Sequence, residues 1–332
     1  AIDGNNSTIT NSSNTKSNAV MFEFSGNDTG GVGIDHLECS LDGTSFSTCT
    51  SPVQFTSANL LDGTHSFMVI AQDKVGNRMT TPVLFNWTVD TLPPTTAINT
   101  AIDGNNGTLV SGNSTMSTSM SFTFSGNDRG LENNGVGIKQ IECSIDNSNF
   151  TTCVSPIQYD NLTEGVHRLE VVSEDKVGNK GSTPSSFNWT IDTKAPSTSI
   201  FSATDGNNNL IAPGSNSSSS AAIFEFSAND TGGQEDKGVG IKQIECSIDN
   251  SNFTACISPV EITPNTLTDG NHSFMIRAED NVGNMNPAPS SFSWTIDTVP
   301  PTTIINSAID GNNSTITNSS NTKSNTLTFE FS

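Results

Sequence analysis

The sequence predicts an all-β protein made of tandem β-sandwich domains of about 100 residues each. Three observations support this prediction. Apolar and polar residues alternate with period two, turn residues follow at intervals of about ten, and one segment recurs with spacings of 100, 102 and 105 residues. The recurring segment occupies residues 1–6, 101–106, 203–208 and 308–313. A spacing of this size predicts one domain per repeat.

The six cysteines form three pairs, and the partners in each pair lie ten positions apart. Asp-Gly or Asp-Asn stands between them, and these residues tolerate the left-handed backbone of a tight turn. Each pair therefore predicts a β-hairpin closed by a disulfide, stabilised by roughly 3 kcal/mol. A metal site is the alternative, but two thiols without a nearby His or third Cys form a poor zinc set. The predicted disulfides are Cys39–Cys49, Cys143–Cys153 and Cys246–Cys256.

The other elements follow in the same order in every repeat. An edge segment, intact over residues 95–103, precedes a Ser/Asn/Thr-rich loop and a strand of the type Phe-Glu-Phe-Ser at residues 22–25. The hairpin comes next, followed by a long strand whose alternation predicts an inward face, formed in repeat 2 by His167, Leu169 and Val171. The last strand carries Phe-Asn-Trp-Thr or Phe-Ser-Trp-Thr.

Prolines after an Asp-Thr pair mark the domain junctions, and they predict stiff, short linkers. We therefore expect repeat 1 over residues 1–92 with an incomplete first edge strand, repeat 2 over 93–194, and repeat 3 over 195–299. The first strands of repeat 4 occupy residues 300–332.

A longer period overlies the domain repeat. Residues 1–18 are identical to residues 308–325, and 22 of 25 positions match between residues 1–25 and 308–332. The offset is 308 − 1 = 307 residues, or three domains. We expect the last strand either to continue into a longer array or to complete a sheet in another copy of the chain.

Composition excludes some partners. The net charge is −21, with 34 acidic and 13 basic residues, so the chain lacks the basic surface that nucleic acid needs. Most carboxylates must be solvated or meet an external cation. No apolar run is long enough to insert into a membrane. Regularly paired cysteines imply an oxidising compartment, so we expect an extracellular or cell-surface location.

Four motifs in order resemble a known family. They are Cys-Ser-Leu-Asp-Gly at residues 39–43, Asp-Gly-Thr-His-Ser-Phe at 62–67, Asp-Lys-Val-Gly-Asn at 73–77 and Trp-Thr-Val-Asp-Thr-Leu-Pro-Pro at 87–94. Together they resemble the extracellular immunoglobulin-like or fibronectin-III-like repeats of prokaryotic surface proteins. The resemblance implies Ig-like sandwiches arranged as an extended rod, and a role as stalk, adhesin arm or fibre unit. Asp-Asn at residues 146–147 and 249–250 departs from the family's Asp-Gly.

No catalytic set is evident. Three of the four histidines are equivalent, at positions 65, 167 and 272, which favours a repeated structural role over three active sites. No serine has a His–carboxylate partner at a recognisable spacing, and no phosphate-binding loop is present. We therefore expect a non-enzymatic protein without a catalytic cofactor.

Structural calcium is a candidate because every repeat places Asp at the edge-strand turn, after the penultimate strand and in the linker. Asp and Asn oxygens are ligands that Ca²⁺ prefers, although Asp-Gly and Gly-Asn are also ordinary turn formers. The candidate ligands are Asp3, Asp73, Asp90, Asp103, Asp175, Asp192, Asp205, Asp280 and Asp297.

Covalent glycans are the second candidate modification, because the chain contains 17 Asn-x-Ser/Thr triplets. An Asn-, Ser- and Thr-rich chain produces such triplets by chance, but several lie at equivalent positions. They are Asn5, Asn6, Asn11, Asn27, Asn86, Asn106, Asn113, Asn149, Asn161, Asn188, Asn216, Asn229, Asn252, Asn271, Asn312, Asn313 and Asn318.

These features favour a structural segment of a secreted, glycosylated filament or stalk, with copies of itself as partners. The filament would form by strand complementation or as one continuous array. The alternative is a Ca²⁺-rigidified arm of a cell-surface adhesin whose ligand-binding tip lies outside this segment.

Overall fold

The computed structural model describes residues 1–129, 135–231 and 238–332. Every regular element within these ranges is a β-strand, which confirms the all-β prediction. The described chain contains no helix of the length and apolarity needed to cross a membrane. The chain divides into two compact units. Unit 1 comprises residues 1–194, 230–240 and 281–284, and unit 2 comprises residues 195–229, 241–280 and 285–332.

Repeat 1 forms one three-stranded and one five-stranded sheet. Its strands are β1 (Ile2–Asp3), β2 (Ser13–Thr15), β3 (Val20–Phe22), β4 (Ile34–Leu41), β5 (Ser47–Cys49), β6 (Val53–Phe55), β7 (Gly63–Asp73) and β8 (Val83–Val89). The strand orders are β1-β3-β6 and β2-β8-β7-β4-β5. Only the β2–β8 pair is parallel; the other pairs are antiparallel.

Repeat 2 has the same two sheets, but its edge strand β9 has nine residues, whereas β1 of repeat 1 has two. Its strands are β9 (Thr95–Asp103), β10 (Ser114–Thr115), β11 (Met120–Asn127), β12 (Ile138–Ile145), β13 (Thr151–Thr152), β14 (Ile157–Tyr159), β15 (Gly165–Asp175) and β16 (Ser185–Ile191). The strand orders are β9-β11-β14 and β10-β16-β15-β12-β13.

Repeat 3 follows the pattern of repeat 2. Its strands are β17 (Ser197–Asp205), β18 (Asn216–Ser217), β19 (Ala222–Asn229), β20 (Ile241–Ile248), β21 (Thr254–Ala255), β22 (Val260–Ile262), β23 (Gly270–Asp280) and β24 (Ser290–Ile296). Their orders are β17-β19-β22 and β18-β24-β23-β20-β21. A final antiparallel hairpin pairs β25 (Ile305–Asp310) with β26 (Leu327–Phe331). The predicted repeat boundaries themselves stay predictions.

Each repeat has its own core between its two sheets, built by period-two alternation. One almost fully buried tryptophan lies at the centre of each core, and buried Phe side chains surround it. On β15 the predicted inward residues His167, Leu169 and Val171 are all buried. In repeats 2 and 3 a half-buried isoleucine from the edge strand packs against the core, Ile98 on β9 and Ile200 on β17.

The three predicted disulfides are present, one in each repeat, with sequence separations of 10 and Cα–Cα distances of 5.8 Å. The first cysteine of each pair lies on β4, β12 or β20. The second is the last residue of β5 in repeat 1 and directly follows β13 or β21 in repeats 2 and 3. A cation from the neighbouring strand region stacks on the Phe of each hairpin, as Arg277 does over Phe253 at 4.3 Å. Arg277 also donates to Glu245 at 2.6 Å, so the hairpin is held to the sheet by more than its disulfide.

One predicted strand is shorter than expected. The Phe-Glu-Phe-Ser strand of repeat 1 ends at Phe22, whereas its equivalents β11 and β19 are eight residues long. The reason is the edge: β1 has two residues and pairs only with Val20 and Met21. A strand without a ladder partner loses the hydrogen bonds that define it.

Candidate metal site at the junction of repeats 1 and 2

The linker between repeats 1 and 2 contributes a buried carboxylate. Asp90 directly follows β8 and is 0% exposed. Its Oδ1 accepts a hydrogen bond from the amide of Leu92 at 3.2 Å, and its Oδ2 accepts one from the amide of Val136 at 3.0 Å. The linker of one repeat is therefore attached to a loop of the next.

Two carboxylates of repeat 2 face Asp90. Asp175 ends β15, is 0% exposed, and accepts hydrogen bonds from the amides of Val177 and Asn179, both at 2.9 Å. Asp128 follows β11 and accepts one from the amide of Gly137 at 2.6 Å. The side-chain amide of Asn179 joins the two parts, because its Nδ2 donates to Asp175 at 2.7 Å and to the carbonyl of Asp90 at 2.8 Å.

The three carboxylates form a compact acidic group. One oxygen from each of Asp90, Asp128 and Asp175 lies within 4.8 Å of the others. Within residues 1–129, 135–231 and 238–332, no Lys, Arg or His forms an ion pair with them. Like charges packed away from water and without a cation destabilise the charged state.

Burial raises the pKa of Asp90 above its ordinary value. Hydrogen bonds from Val136 and Leu92 oppose this rise, and the charges of Asp128 and Asp175 add to it. A bound divalent cation would relieve the same repulsion without a proton. Carboxylate oxygens converging from three chain segments fit Ca²⁺, which takes oxygen ligands at 2.3–2.6 Å in flexible geometry.

The Gly-Val-Gly sequence before β12 positions this group. Val136 donates its amide to Asp90 and Gly137 donates to Asp128. Gly137 has φ +89°, a left-handed conformation that favours glycine. A Cβ at Gly135 would overlap the backbone of Asp128, so the close approach requires glycine there as well.

Asp90 and Asp175 were predicted as ligands, but Asp128 was not. The sequence showed Asp128 only as a loop residue in an equivalent position of each repeat. A usable signal was present, because an Asp precedes each Gly-Val-Gly: Asp28, Asp128 and Asp230.

The edge-turn candidates have a different environment. Asp3 accepts hydrogen bonds from the amides of Asn5 and Ser7 and, at 2.6 Å, from the hydroxyl of Thr15. Asp103 repeats these contacts with Asn105, Gly107 and Thr115, and Asp205 accepts from the amides of Asn207 and Asn209. These carboxylates stabilise the turn that contains them.

Asp192 repeats the arrangement of Asp90 within unit 1. Its Oδ2 accepts the amide of Val239 at 3.0 Å, and its carbonyl accepts the Asn284 side chain at 2.9 Å. Asp230 in the same unit accepts a hydrogen bond from the amide of Gly240 at 2.7 Å.

Two further calcium candidates lie in unit 2. Asp280 is the fully buried last residue of β23, and Asp297 accepts a hydrogen bond from the amide of Val299 at 3.1 Å.

Asp73 in repeat 1 is the counterpart of Asp175. It accepts the amides of Val75 and Asn77 at 2.9 and 2.8 Å, and the Asn77 side chain at 2.8 Å. Asp28 accepts the amide of Gly33 at 2.9 Å. Repeat 1 therefore has two of the three carboxylates preformed on its own residues.

The equivalent histidines make structural contacts. In repeat 2, His167 Nδ1 lies 2.8 Å from Asp146 Oδ2 and Nε2 lies 2.7 Å from the carbonyl of Thr163, while the ring stacks on Trp189. His65 and His272 repeat this geometry. In all three histidines, both ring nitrogens face an acceptor.

The glycosylation candidates lie at the surface to different degrees. Asn86 and Asn188, on the last strands of their repeats, are half-buried. The other fifteen are exposed, among them Asn149 and Asn252 in equivalent hairpin turns.

The fold and the repeated disulfide hairpins are those of tandem Ig-like repeats. Residues 50–123 match the family model described as bacterial Ig-like domain (group 3), which confirms the family resemblance seen in the sequence. Neither this family nor the fold is that of an enzyme. No curated protein matches the chain.

Three solved structures are similar to the chain at low identity. A 1.5-MDa bacterial ice-binding adhesin has 12% identity and a TM-score of 0.36, with 84% of this chain and 91% of that chain covered. A Ca²⁺-stabilised ice-binding adhesin of an Antarctic bacterium has 16% identity and a TM-score of 0.33, covering 86% and 70%. Fibronectin(III)-like modules of Clostridium thermocellum CbhA have 15% identity and a TM-score of 0.29, covering 56% and 91%.

Proposed function

We propose that the chain is a non-enzymatic structural segment of a secreted extracellular filament or stalk, whose consecutive repeats are coupled by bound calcium. Three disulfides support an oxidising, extracellular environment, and the family match supports a structural Ig-like repeat. The mechanical task of such a segment is to resist bending and unfolding at the junctions between domains.

The acidic group at the first junction carries the proposal. Asp90 comes from the linker, whereas Asp128 and Asp175 come from the body of repeat 2, and their oxygens converge within 4.8 Å. A cation bound there would join the linker to the next domain by direct ligation. It would also remove the repulsion between three carboxylates, two of which are fully buried.

Thermal unfolding with calcium or with a chelator tests the coupling. A ligand at 100 times its Kd stabilises the folded state by about 2.7 kcal/mol, so Tm should rise with calcium. Asp128→Asn should reduce this rise, because Asn keeps an acceptor for Gly137 but removes one charge. Asp160→Asn is the matched control, since Asp160 is exposed and outside the acidic group. An equal Tm with and without calcium would contradict the proposal.

We propose further that the surface carries N-linked glycans. The exposure of fifteen Asn-x-Ser/Thr positions supports attachment, and the equivalent turn residues Asn149 and Asn252 are the first candidates. Mass spectrometry of peptides from native material should find modified Asn at these two positions. Unmodified peptides throughout would refute glycosylation and leave the calcium proposal intact.

A further inference from the structure

Lys176 directly follows the buried carboxylate Asp175 and lies beside the glycine loop of the acidic group. Its backbone amide donates a hydrogen bond to the carbonyl of Gly137 at 3.0 Å. Its side chain folds over the same glycine, because a Cβ placed on Gly137 would lie 3.3 Å from Lys176 Nζ. The amide of that glycine donates to Asp128 at 2.6 Å, so the ammonium group is a close neighbour of the acidic group.

The three lysines near this end of β15 are held in different ways. Lys139 donates to the carboxylate of Glu174 at 2.8 Å. Lys16 donates to the carbonyl of Gly178 at 3.5 Å. In the part of the chain that the structure describes, Lys176 is exposed and forms no ion pair. Because its charge sits on a flexible four-carbon stem, it can move toward the carboxylates or away from them.

The three repeats differ at this position. Repeat 1 has Lys74, whose Nζ lies 3.7 Å from the Cβ position of the equivalent glycine. Repeat 3 has Asn281, whose side-chain amide donates to the carbonyl of Val239 at 2.8 Å. Its backbone repeats the contact of Lys176, because the amide of Asn281 donates to the carbonyl of Gly240 at 3.0 Å. The fold therefore accepts a neutral residue here, and the charge of Lys176 is not needed to form the loop.

A positive charge at this place has opposite effects on the two states of the acidic group. Without a bound cation, the ammonium group offsets part of the repulsion between the three carboxylates and so stabilises the folded chain. With Ca²⁺ bound, the same ammonium group faces a divalent cation and repels it. For a single and a double charge separated by less than a Debye length, this repulsion changes the affinity about threefold to tenfold.

We propose that Lys176 is an internal counter-ion of the acidic group, which competes with bound calcium and lowers its affinity. This inference rests on the proposed calcium-coupled function and names a residue that regulates the same site. Calcium joins the linker to repeat 2 only at a concentration that Lys176 raises. Ionic strength weakens this control, because salt screens the charge of the exposed ammonium group.

A calcium chloride titration of the whole chain, followed by the NMR signals of the Val136 and Gly137 amides, measures the affinity of this group alone. In about 20 mM KCl, Lys176→Asn should bind Ca²⁺ about threefold to tenfold more tightly than the unchanged chain. In about 0.5 M KCl the gain should fall below about twofold, because the Debye length is then much shorter.

Two further variants separate the charge from the shape of the side chain. Lys176→Arg keeps the charge and should bind calcium as the unchanged chain does. Arg168→Gln is the matched control, because it removes one exposed positive charge from the other end of β15, where Arg168 pairs with Glu170. Its calcium affinity should equal that of the unchanged chain.

The calcium-free chain gives an independent readout. Lys176→Asn should lower its Tm, so stability and calcium affinity change in opposite directions, whereas loss of a residue that only supports the loop would lower both. Equal or weaker calcium binding by Lys176→Asn at low salt would overturn the inference and leave the calcium-coupled function standing. An equal gain in Arg168→Gln would do the same. Amides that do not respond to calcium in the unchanged chain would contradict both proposals.

Discussion

Repeats 1 and 2 share one sequence pattern but differ at their edge. In repeat 2 the edge strand has nine residues and its partner β11 has eight, whereas in repeat 1 the numbers are two and three. Val171 is 0% exposed, while its counterpart Val69 is half-buried. The difference shows that the linker is part of the next domain, because the strand that begins there completes the sandwich.

The same comparison explains the acidic group. The linker brings Asp90 to Asp128 and Asp175, and Asn179 fixes the linker carbonyl in place. Asp28 and Asp73 have no such linker carboxylate among residues 1–92, all of which are described. In repeat 2 the edge strand β9 and the third carboxylate, Asp90, therefore come from the same linker segment.

Removing a disulfide gives the largest expected effect. Replacing both Cys143 and Cys153 by Ser should destabilise repeat 2 by about 3 kcal/mol, and the same change at Cys39 and Cys49 should cost repeat 1 a similar amount. Because β1 pairs with only two residues of β3, whereas β9 pairs with eight residues of β11, repeat 1 should then open first in hydrogen exchange. Faster exchange in the altered repeat 2 than in the altered repeat 1 would contradict the comparison.

Weakening the edge of repeat 2 comes next. Ile98→Ala should destabilise repeat 2 by about 2 kcal/mol, the low end for an aliphatic truncation, because Ile98 is half-buried. Asn99→Ala is the matched control on the same strand, where the exposed side chain sits at the bulge; its effect should stay within about 0.5 kcal/mol. Urea midpoints that are equal for the two variants would show that the edge does not support the core.

The pH dependence of calcium binding is a smaller effect with a defined sign. The raised pKa of Asp90 means that the folded protein holds a proton there at a pH where the unfolded chain does not. Without calcium, stability therefore rises as pH falls from the raised pKa toward about 3.9. Protons compete with calcium, so affinity should decrease on going from pH 7 to pH 5. Calorimetry showing the same affinity at both values would argue against Asp90 as a ligand.

The smallest expected effect concerns His272. Burial lowers its pKa, but the hydrogen bonds to Asp249 and to the carbonyl of Thr268 outweigh burial and raise the pKa above its ordinary value. The stabilisation is complete below about pH 6.5 and is lost as pH rises through the raised value. An NMR titration should find the elevated pKa, and His272→Gln should flatten the pH dependence of Tm in this window. A pKa at or below 6.5 would be inconsistent with hydrogen bonds from the His272 ring to Asp249 and to the Thr268 carbonyl.

Local signals made much of the fold predictable. Cysteine spacing predicted the three hairpins, and period-two alternation predicted the inward face of β15 with His167 and Leu169. These features depend on residues close together in the chain. The length of β3 was not predictable in this way, because it depends on whether a separate strand lies alongside it.

The acidic group was predicted only in part for a similar reason. Asp128 lies 128 − 90 = 38 positions from Asp90, and Asp175 lies 47 positions from Asp128, so no local spacing reveals the set. Asp3 and Asp103 looked equivalent to Asp90 as ligands, because Asp-Gly suits both a turn and a calcium site. Their hydrogen bonds within the turn could be assigned only from the structure.

Exchange of the Val136 and Gly137 amides tests most directly whether a cation couples the linker to repeat 2. These amides donate to Asp90 and Asp128, so they report on the acidic group itself. With saturating calcium, their protection should rise at least tenfold in the unchanged chain and in Asp160→Asn, and much less in Asp128→Asn. Equal protection with and without calcium in the unchanged chain would contradict calcium-coupled repeats.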